Sequence, residues 1–95
     1  MIDKAQAIDI AHRRISSFTE TALPLVLLEE DTIEKPYGWI FFYQSKPYLE
    51  TGNISFALAG NGPFLVKKAD GMIKVFGSAY GTDYYLEEYE ASLTE

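Results

Sequence analysis

One apolar stretch, Tyr-Gly-Trp-Ile-Phe-Phe-Tyr at residues 37–43, constrains the fold more than any other part of this sequence. Successive side chains on a β-strand point to opposite faces, so this stretch has three aromatic residues on one face and two apolar residues on the other: Trp39, Phe41 and Tyr43, and Ile40 and Phe42. Because both faces are apolar, we expect a central strand with a helix over one face and a second layer, a long loop or a partner protein over the other. Gly38 predicts a bulge or a close backbone approach.

The N-terminal segment predicts an amphipathic helix. Asp3 and Gln6 have the spacing of a capping box, in which each side chain bonds to the other residue's backbone amide. Apolar residues then recur at spacings of three and four, which is typical of one helix face over about four turns. The predicted face consists of Ala5, Ile8, Ala11, Ile15 and Phe18. Since this stripe needs a surface to cover it, we expect the helix to lie across a sheet.

Further strands are predicted on both sides of the central one. We expect a strand over residues 25–34, which a turn at residues 35–38 joins to the central strand as an antiparallel pair. A short strand is expected at residues 54–58. Residues 64–68 and 72–76 flank Ala-Asp-Gly and predict a hairpin, because Asp and Gly tolerate the positive φ of such turns.

Residues 45–53 are predicted to form a loop, because Pro47 and Gly52 interrupt any regular pattern. Irregular segments of this length in a small domain often carry recognition. Tyr48 and Leu49 are apolar residues within it. They either cover the exposed face of the sheet or contribute to a contact surface.

The C-terminal segment predicts a second helix at about residues 83–93. Thr82 is a suitable N-cap, and Asp83 lies in the first turn, where the helix dipole favours a negative charge. The apolar side of this helix would consist of Tyr85, Leu86, Tyr89 and Leu93. The element order predicts an α+β fold: an antiparallel sheet of four or five strands, an N-terminal helix packed across it, and a short C-terminal helix.

Length and composition predict one domain over residues 1–95. With 47% hydrophobic residues, the chain can form a core without disulfides or structural metal ions. The absence of Cys excludes disulfides and thiolate metal sites. No basic segment precedes an apolar one at the N-terminus, and no run approaches the roughly 20 apolar residues of a membrane span. We therefore expect a soluble, unprocessed, cytoplasmic protein without a membrane partner.

The formal charge is −6, from 14 acidic and 8 basic side chains, which argues against nucleic acid as a partner because phosphates would be repelled. Acidic residues concentrate at residues 29–34 and 83–95. This charge either serves solubility alone or steers a basic partner into place. On the second interpretation, the predicted partner-binding residues are Glu29, Glu30, Asp31, Glu34, Tyr48 and Asn53. Tyr80 and Tyr84, with the acids beside them, also resemble a contact surface.

A catalytic apparatus is not apparent in the sequence. His12 is the single histidine, and without Cys a zinc site would need an uncommon carboxylate-dominated ligand set. We interpret His12 as a partly buried helix residue and expect no cofactor, no metal and no enzymatic activity. The opposing hypothesis, a small enzyme, predicts a deep pocket near His12 lined by convergent polar groups.

An ordered set of short elements resembles the immunity protein 35 family of bacterial polymorphic toxin systems. The elements span nearly the whole chain, and Ala5 and Ala7 open the matching N-terminal helix. They are Gly38-Trp39-x-Phe41-Phe42-Tyr43, Tyr48-Leu49-Glu50-Thr51-Gly52, Ala59-Gly60-Asn61-Gly62-Pro63, Asp70-Gly71 and Tyr85-Leu86-x-x-Tyr89-Glu90.

The resemblance implies a small cytosolic protein without enzymatic activity, encoded beside a toxin that it binds and neutralises. Toxins linked to this family include papain-like peptidase domains, so such a peptidase is a possible partner. The family carries no catalytic residues, and we assign Trp39 and the turn at residues 60–63 to maintenance of the fold. The alternative is a general chaperone-like or housekeeping protein-binding module.

Overall fold

A computed structural model describes residues 1–17, 24–53, 55, 62–77 and 80–93 of the chain. It has three α-helices, six strands and one short 3-10 helix in these ranges. In chain order they are α1 (Lys4–Ser16), β1 (Leu25–Leu27), the 3-10 helix Glu29–Asp31, β2 (Ile33–Lys35), β3 (Gly38–Phe41), β4 (Tyr43–Ser45), α2 (Lys46–Thr51), β5 (Phe64–Lys67), β6 (Ile73–Val75) and α3 (Thr82–Leu93). We refer to Glu29–Asp31 as the acidic turn.

The strands form two antiparallel sheets. Four strands pair in the order β2-β3-β5-β6, and β1 pairs with β4 in a separate ladder of two. The register places Glu34 of β2 opposite Trp39, and Trp39 opposite Val66 of β5. The predicted α+β fold, with an N-terminal helix, an antiparallel sheet and a short C-terminal helix, is confirmed.

The four-stranded sheet has a separate core on each face. On one face, α1 contributes Ala7, Ala11 and Ile15, which pack with Trp39, Phe41 and other buried residues. On the other face, α3 contributes Leu86, which packs with Ile40, Leu65 and Phe76. The predicted alternation of Trp39 and Phe41 against Ile40 is therefore confirmed, and the two helices are the layers that cover this central strand.

Helix α1 begins with the predicted capping box. The Gln6 backbone amide donates to Asp3 Oδ1 over 2.8 Å, and the Asp3 amide donates to Gln6 Oε1 over 2.9 Å. The predicted apolar face was partly wrong. Ala7 is fully buried whereas Ala5 is exposed, because the helix contacts the sheet along Ala7, Ala11 and Ile15. Phe18 lies outside the described residues.

The predicted strand at residues 25–34 is divided by the acidic turn. Leu28 donates its amide to the Phe42 carbonyl, but Asp31 and Thr32 then donate to the carbonyls of Leu28 and Glu29. These short-range bonds turn the chain away from β4, so that β2 pairs with β3 instead. The prediction of one strand was wrong because the local bonds of the turn replace a sheet ladder here.

The predicted loop at residues 45–53 contains helix α2, which corrects that prediction. Ser45 is its N-cap, with Oγ accepting the Tyr48 amide over 3.2 Å, and Pro47 lies in the first turn, where its missing N–H has no cost. Gly52 closes the helix with a φ of 69°, a left-handed conformation typical of a helix C-terminus.

Two glycine-dependent features of the sheet match the predictions. A Cβ on Gly38 would lie 2.2 Å from the Val66 carbonyl oxygen, so the close backbone approach expected there is present. In the hairpin of β5 and β6, Gly71 has a φ of 75° and donates to the Lys67 carbonyl, while Asp70 Oδ1 accepts the Met72 amide. The strand predicted at residues 54–58, apart from Ser55, and residues 60–61 of the following turn lie outside the described residues.

Helix α3 covers residues close to those predicted. Thr82 is its first helical residue, and Tyr84 donates its amide to the Gly81 carbonyl. Tyr85, Leu86 and Tyr89 pack against the sheet as expected, but Leu93 is 52% exposed. Within the described ranges, none of the helices has both the length and the apolar character needed to cross a membrane.

Candidate functional site

The acidic turn is exposed and contains three of the predicted partner-binding residues. Glu29 Oε1 lies 3.1 Å from His12 Nε2, so the turn contacts helix α1 through this pair. Both side chains are about half exposed, which means that water weakens the interaction between them. Glu30 and Asp31 are exposed and have no ion pair with any residue that the structure describes.

Glu34, the fourth predicted acid, lies on β2 directly opposite Trp39. The buried indole donates from Nε1 to Glu34 Oε1 over 3.3 Å. This bond satisfies the one polar group of the Trp39 side chain, because a buried indole N–H needs a hydrogen-bond acceptor. Glu34 is therefore part of the structural support of β3 as well as an exposed charge.

Tyr48 and Asn53 belong to a different part of the surface. Tyr48 is half-buried on α2, and Asn53 Oδ1 accepts hydrogen bonds from the backbone amide and hydroxyl of Ser55. Helix α2 follows β4 beside Pro24, whereas the acidic turn follows the opposite end of β1. The β1–β4 ladder thus separates Tyr48 and Asn53 from the four acids.

His12 is exposed, which corrects the prediction that it is partly buried. A groove of about 430 Å³ beside it is lined by five described residues: His12, Arg13, Ile15, Ser16 and Leu25. None of these five residues has a carboxylate; the Glu29 carboxylate lies 3.1 Å from His12 Nε2, outside this lining. In the described ranges, no three His, Asp or Glu side chains come together as a set of metal ligands.

The second acidic region is helix α3, which is bonded to the sheet through Glu90. Tyr37 donates its hydroxyl to Glu90 Oε2 over 2.8 Å, and Lys35 Nζ lies 3.5 Å from the same oxygen. Burial, and then the hydrogen bond and charge of Glu90, raise the pKa of the Tyr37 hydroxyl far above its ordinary value. This contact fixes the orientation of α3 over its face of the sheet.

Exposed aromatic residues lie at the start of α3. The rings of Tyr80 and Tyr84 are 4.6 Å apart between centroids, and Tyr84 meets Tyr85 edge to face at 5.4 Å. Tyr80 is 64% exposed and Tyr84 is 45% exposed. The sequence analysis interpreted this pair as resembling a contact surface, outside the six predicted partner-binding residues, and both rings are exposed.

A second groove, of about 360 Å³, lies between β6 and α3. Its described lining includes Lys74 and Phe76 from the strand side and Tyr85, Glu88 and Tyr89 from the helix. The sequence carried no signal for this groove, since it arises from the packing of α3 against the end of the hairpin.

Comparison with known proteins identifies the family. The family described as Immunity protein 35 matches residues 5–92. A protein of Escherichia coli (strain K12) named "Uncharacterized protein YrhB" is 42% identical over 53 residues, which are 56% of this chain and 56% of that protein. The chain therefore spans about half the length of this curated relative. No solved structure matches the chain. Because the family match extends over nearly the whole sequence, this protein belongs to the immunity protein 35 family.

Proposed function

We propose that this chain is a toxin-neutralising immunity protein, which binds a cognate bacterial toxin and inhibits it without chemistry of its own. The observation that carries the proposal is the family match over residues 5–92. The formal charge of −6 supports a partner with a basic surface, because opposite charges accelerate encounter between proteins.

The partner that we propose is a toxin domain encoded by a neighbouring gene and neutralised in the cytoplasm of the producing cell. A papain-like peptidase is the toxin class to test first, since the family resemblance implies it. A bound immunity protein inhibits such an enzyme either by covering its active site or by holding it in an inactive shape.

The four acids Glu29, Glu30, Asp31 and Glu34 are proposed to steer the toxin towards the chain. Glu30 and Asp31 suit this role best, because they are exposed and take part in no described ion pair, whereas Glu29 and Glu34 have partners within the fold. Tyr48 and Asn53 are proposed as a smaller, separate contact. Steering of this kind raises the association rate more than the lifetime of the complex.

Co-expression tests the proposal directly. The product of the neighbouring gene should stop bacterial growth when expressed alone, and this chain should restore growth and co-purify with it in a defined stoichiometry. An unrelated acidic protein of similar charge is the control. If this chain neither restores growth nor binds the adjacent product, the proposal is wrong, and broad suppression of aggregation in unrelated proteins would favour the chaperone-like alternative instead.

A further inference from the structure

The outer edge of β6 has backbone groups that pair with no strand in the described part of the chain. Lys67 donates to the Met72 carbonyl over 2.8 Å and Phe76 donates to the Pro63 carbonyl over 2.9 Å. Because bonded and non-bonded pairs alternate in an antiparallel ladder, Lys74 bonds to β5, whereas the N–H and C=O groups of Ile73 and Val75 point away from it. In the part of the chain that the structure describes, β6 is the last strand on this side of the sheet.

The groove beside this edge has an aromatic wall. The rings of Phe76 and Tyr85 lie nearly parallel, 6.3 Å apart between centroids, and Tyr89 meets Phe76 edge to face at 6.2 Å. The groove extends along the strand side from Lys74 to Gly77 and along α3 from Tyr85 to Ser92. An extended chain placed against β6 would therefore have one row of side chains over these rings.

The elements that border this groove carry exposed apolar side chains. Among the described residues, five of the seven exposed large hydrophobic side chains lie in or beside β6 and α3: Met72, Val75, Tyr80, Tyr84 and Leu93. Of these five, Val75 is in the described lining of the groove. Exposed apolar surface next to a groove favours its use as an interaction site.

The charge of α3 indicates what the groove accommodates. Asp83, Glu87 and Glu88 are exposed and have no ion pair with a described residue, and the sequence contains no Lys or Arg between residues 75 and 95. Glu88 is the one acid in the described lining of the groove, and Lys74 is the one cation. Asp83 and Glu87 are not in this lining but add to the negative charge of α3. A partner with basic side chains would complement this charge.

We propose that an extended segment of the toxin, with basic and apolar side chains in alternation, adds as a strand to the outer edge of β6 in the groove beside α3. The proposal rests on the proposed toxin-binding function and deepens it. The segment bonds to the backbone of Ile73 and Val75. Its basic side chains pack their stems on Tyr85 and Tyr89 and direct their charges to Glu88, while its apolar side chains lie next to Val75 on the opposite face.

The other edge of the four-stranded sheet is less suited to this role. In β2, Ile33 and Lys35 bond to β3, so Glu34 is the one strand residue whose N–H and C=O groups point outward. The Glu34 side chain is already bonded to Trp39 Nε1. The Glu34 amide is therefore a matched internal reference for the amides of Ile73 and Val75.

Hydrogen exchange of the full chain, followed by NMR with and without an inactivated form of the adjacent-gene product, tests the strand pairing. We expect the amides of Ile73 and Val75 to exchange at least about tenfold more slowly in the complex, because backbone bonding to the partner would protect them. The Glu34 amide, at the opposite edge, should gain much less protection. A stable complex in which Ile73 and Val75 exchange as in the free chain would overturn the proposal and leave the immunity function standing.

Two charge-matched variants test the side-chain contacts. Glu88→Lys should weaken the complex by about tenfold, mainly through faster dissociation, because a charged contact within the docking site is lost. Glu30→Lys changes the net charge equally but should act mainly by slowing association, by at most about threefold. Equal losses in the two variants, or none in the first, would contradict docking beside α3.

A backbone variant completes the test. Val75→Pro removes the outward N–H of Val75 and no ladder bond, so we expect a folded chain that binds the toxin at least about tenfold more weakly. If this variant does not fold, the exchange measurement and the charge variants still test whether the toxin segment pairs with β6. If the unmodified chain does not bind the product of the adjacent gene at all, the docking proposal and the proposed function are both wrong.

Discussion

The protein has two acidic regions that look alike in the sequence and differ in the fold. One acid in each region accepts a hydrogen bond from an aromatic side chain. Glu34 accepts from Trp39 of the central strand, and Glu90 accepts from Tyr37 in the turn before that strand. In the acidic turn, Glu29 pairs with His12, and Glu30 and Asp31 have no ion pair with a described residue. Along α3, exposed charges lie near exposed tyrosines, an aromatic groove and β6, the last strand of the sheet among the described residues.

The difference shows that the number of acids does not define a binding surface. Isolated exposed charges change the long-range field of a protein, and therefore how quickly a partner arrives. Charges around apolar surface can also lose water when a partner binds, and so affect how long it stays. These two effects are the basis on which we propose steering for the acidic turn and docking for the region of β6 and α3.

The support of β2, the strand that follows the acidic turn, is tested most strongly at Trp39. Trp39→Ala should lower the free energy of unfolding by about 3–5 kcal/mol, because it leaves a cavity in the core under α1 and leaves Glu34 without its donor. Trp39→Phe, which keeps a buried ring but lacks Nε1, should cost less. Urea denaturation measures both, and a loss below about 1 kcal/mol for the alanine variant would show that the indole does not support this region.

The support of α3 is tested at Tyr37. Tyr37→Phe removes the hydroxyl that donates to Glu90 and should lower the free energy of unfolding by about 1–2 kcal/mol, since hydrogen bonds to charged groups contribute that much. Tyr84→Phe, which alters a hydroxyl on an exposed ring, is the control and should change little. Equal effects of the two substitutions would mean that α3 is not held through Glu90.

The same contact predicts a dependence on alkaline pH. Burial and Glu90 raise the folded-state pKa of Tyr37 above its ordinary value of 10.0, so folding favours the neutral hydroxyl. This contribution is complete below the ordinary pKa and is lost as pH rises towards the folded-state pKa. Between about pH 9 and pH 11, the unmodified chain should lose more unfolding free energy than Tyr37→Phe. Parallel pH profiles of the two chains would refute this linkage.

The smallest effect is expected for the pair of His12 and Glu29. Glu29→Gln should change the free energy of unfolding by no more than about 0.5 kcal/mol, because both side chains are half exposed and water screens them. Glu30→Gln is a matched control one residue away. A loss above about 1 kcal/mol for Glu29→Gln, measured by thermal unfolding, would make the acidic turn a structural element of the fold and weaken its assignment to steering.

Much of the fold follows from local patterns. The alternation of Trp39 and Ile40, the capping box of Asp3 and the Asp70-Gly71 hairpin each depend on residues a few positions apart, so the sequence predicts them. Helix α2 was missed because Pro47 and Gly52 were interpreted as loop residues, although they are also suited to the two ends of a short helix. The acidic turn was missed because a run of charges has no strong preference between a strand and a tight turn.

The sites depend on contacts between distant residues. His12 and Glu29 are 17 positions apart, and Tyr37 and Glu90 are 53 positions apart, so no periodicity connects them. The sequence shows where the acidic residues are, and their exposure could be predicted. It did not predict which acids would bond to His12, Trp39 or Tyr37 in the fold. The groove beside α3 likewise arises from the packing of a helix against a strand edge, which composition alone does not encode.

The close contact at Gly38 restricts this position to glycine, whereas exposed positions accept more residue types. Any side chain there would collide with the backbone of β5. The solvent-exposed residues of α3 lie away from such contacts, and substitutions at exposed positions usually change the free energy of unfolding little. We expect that the exposed surface of α3 can be redesigned while Gly38 is kept, whereas a change at Gly38 would push two neighbouring strands of the scaffold apart.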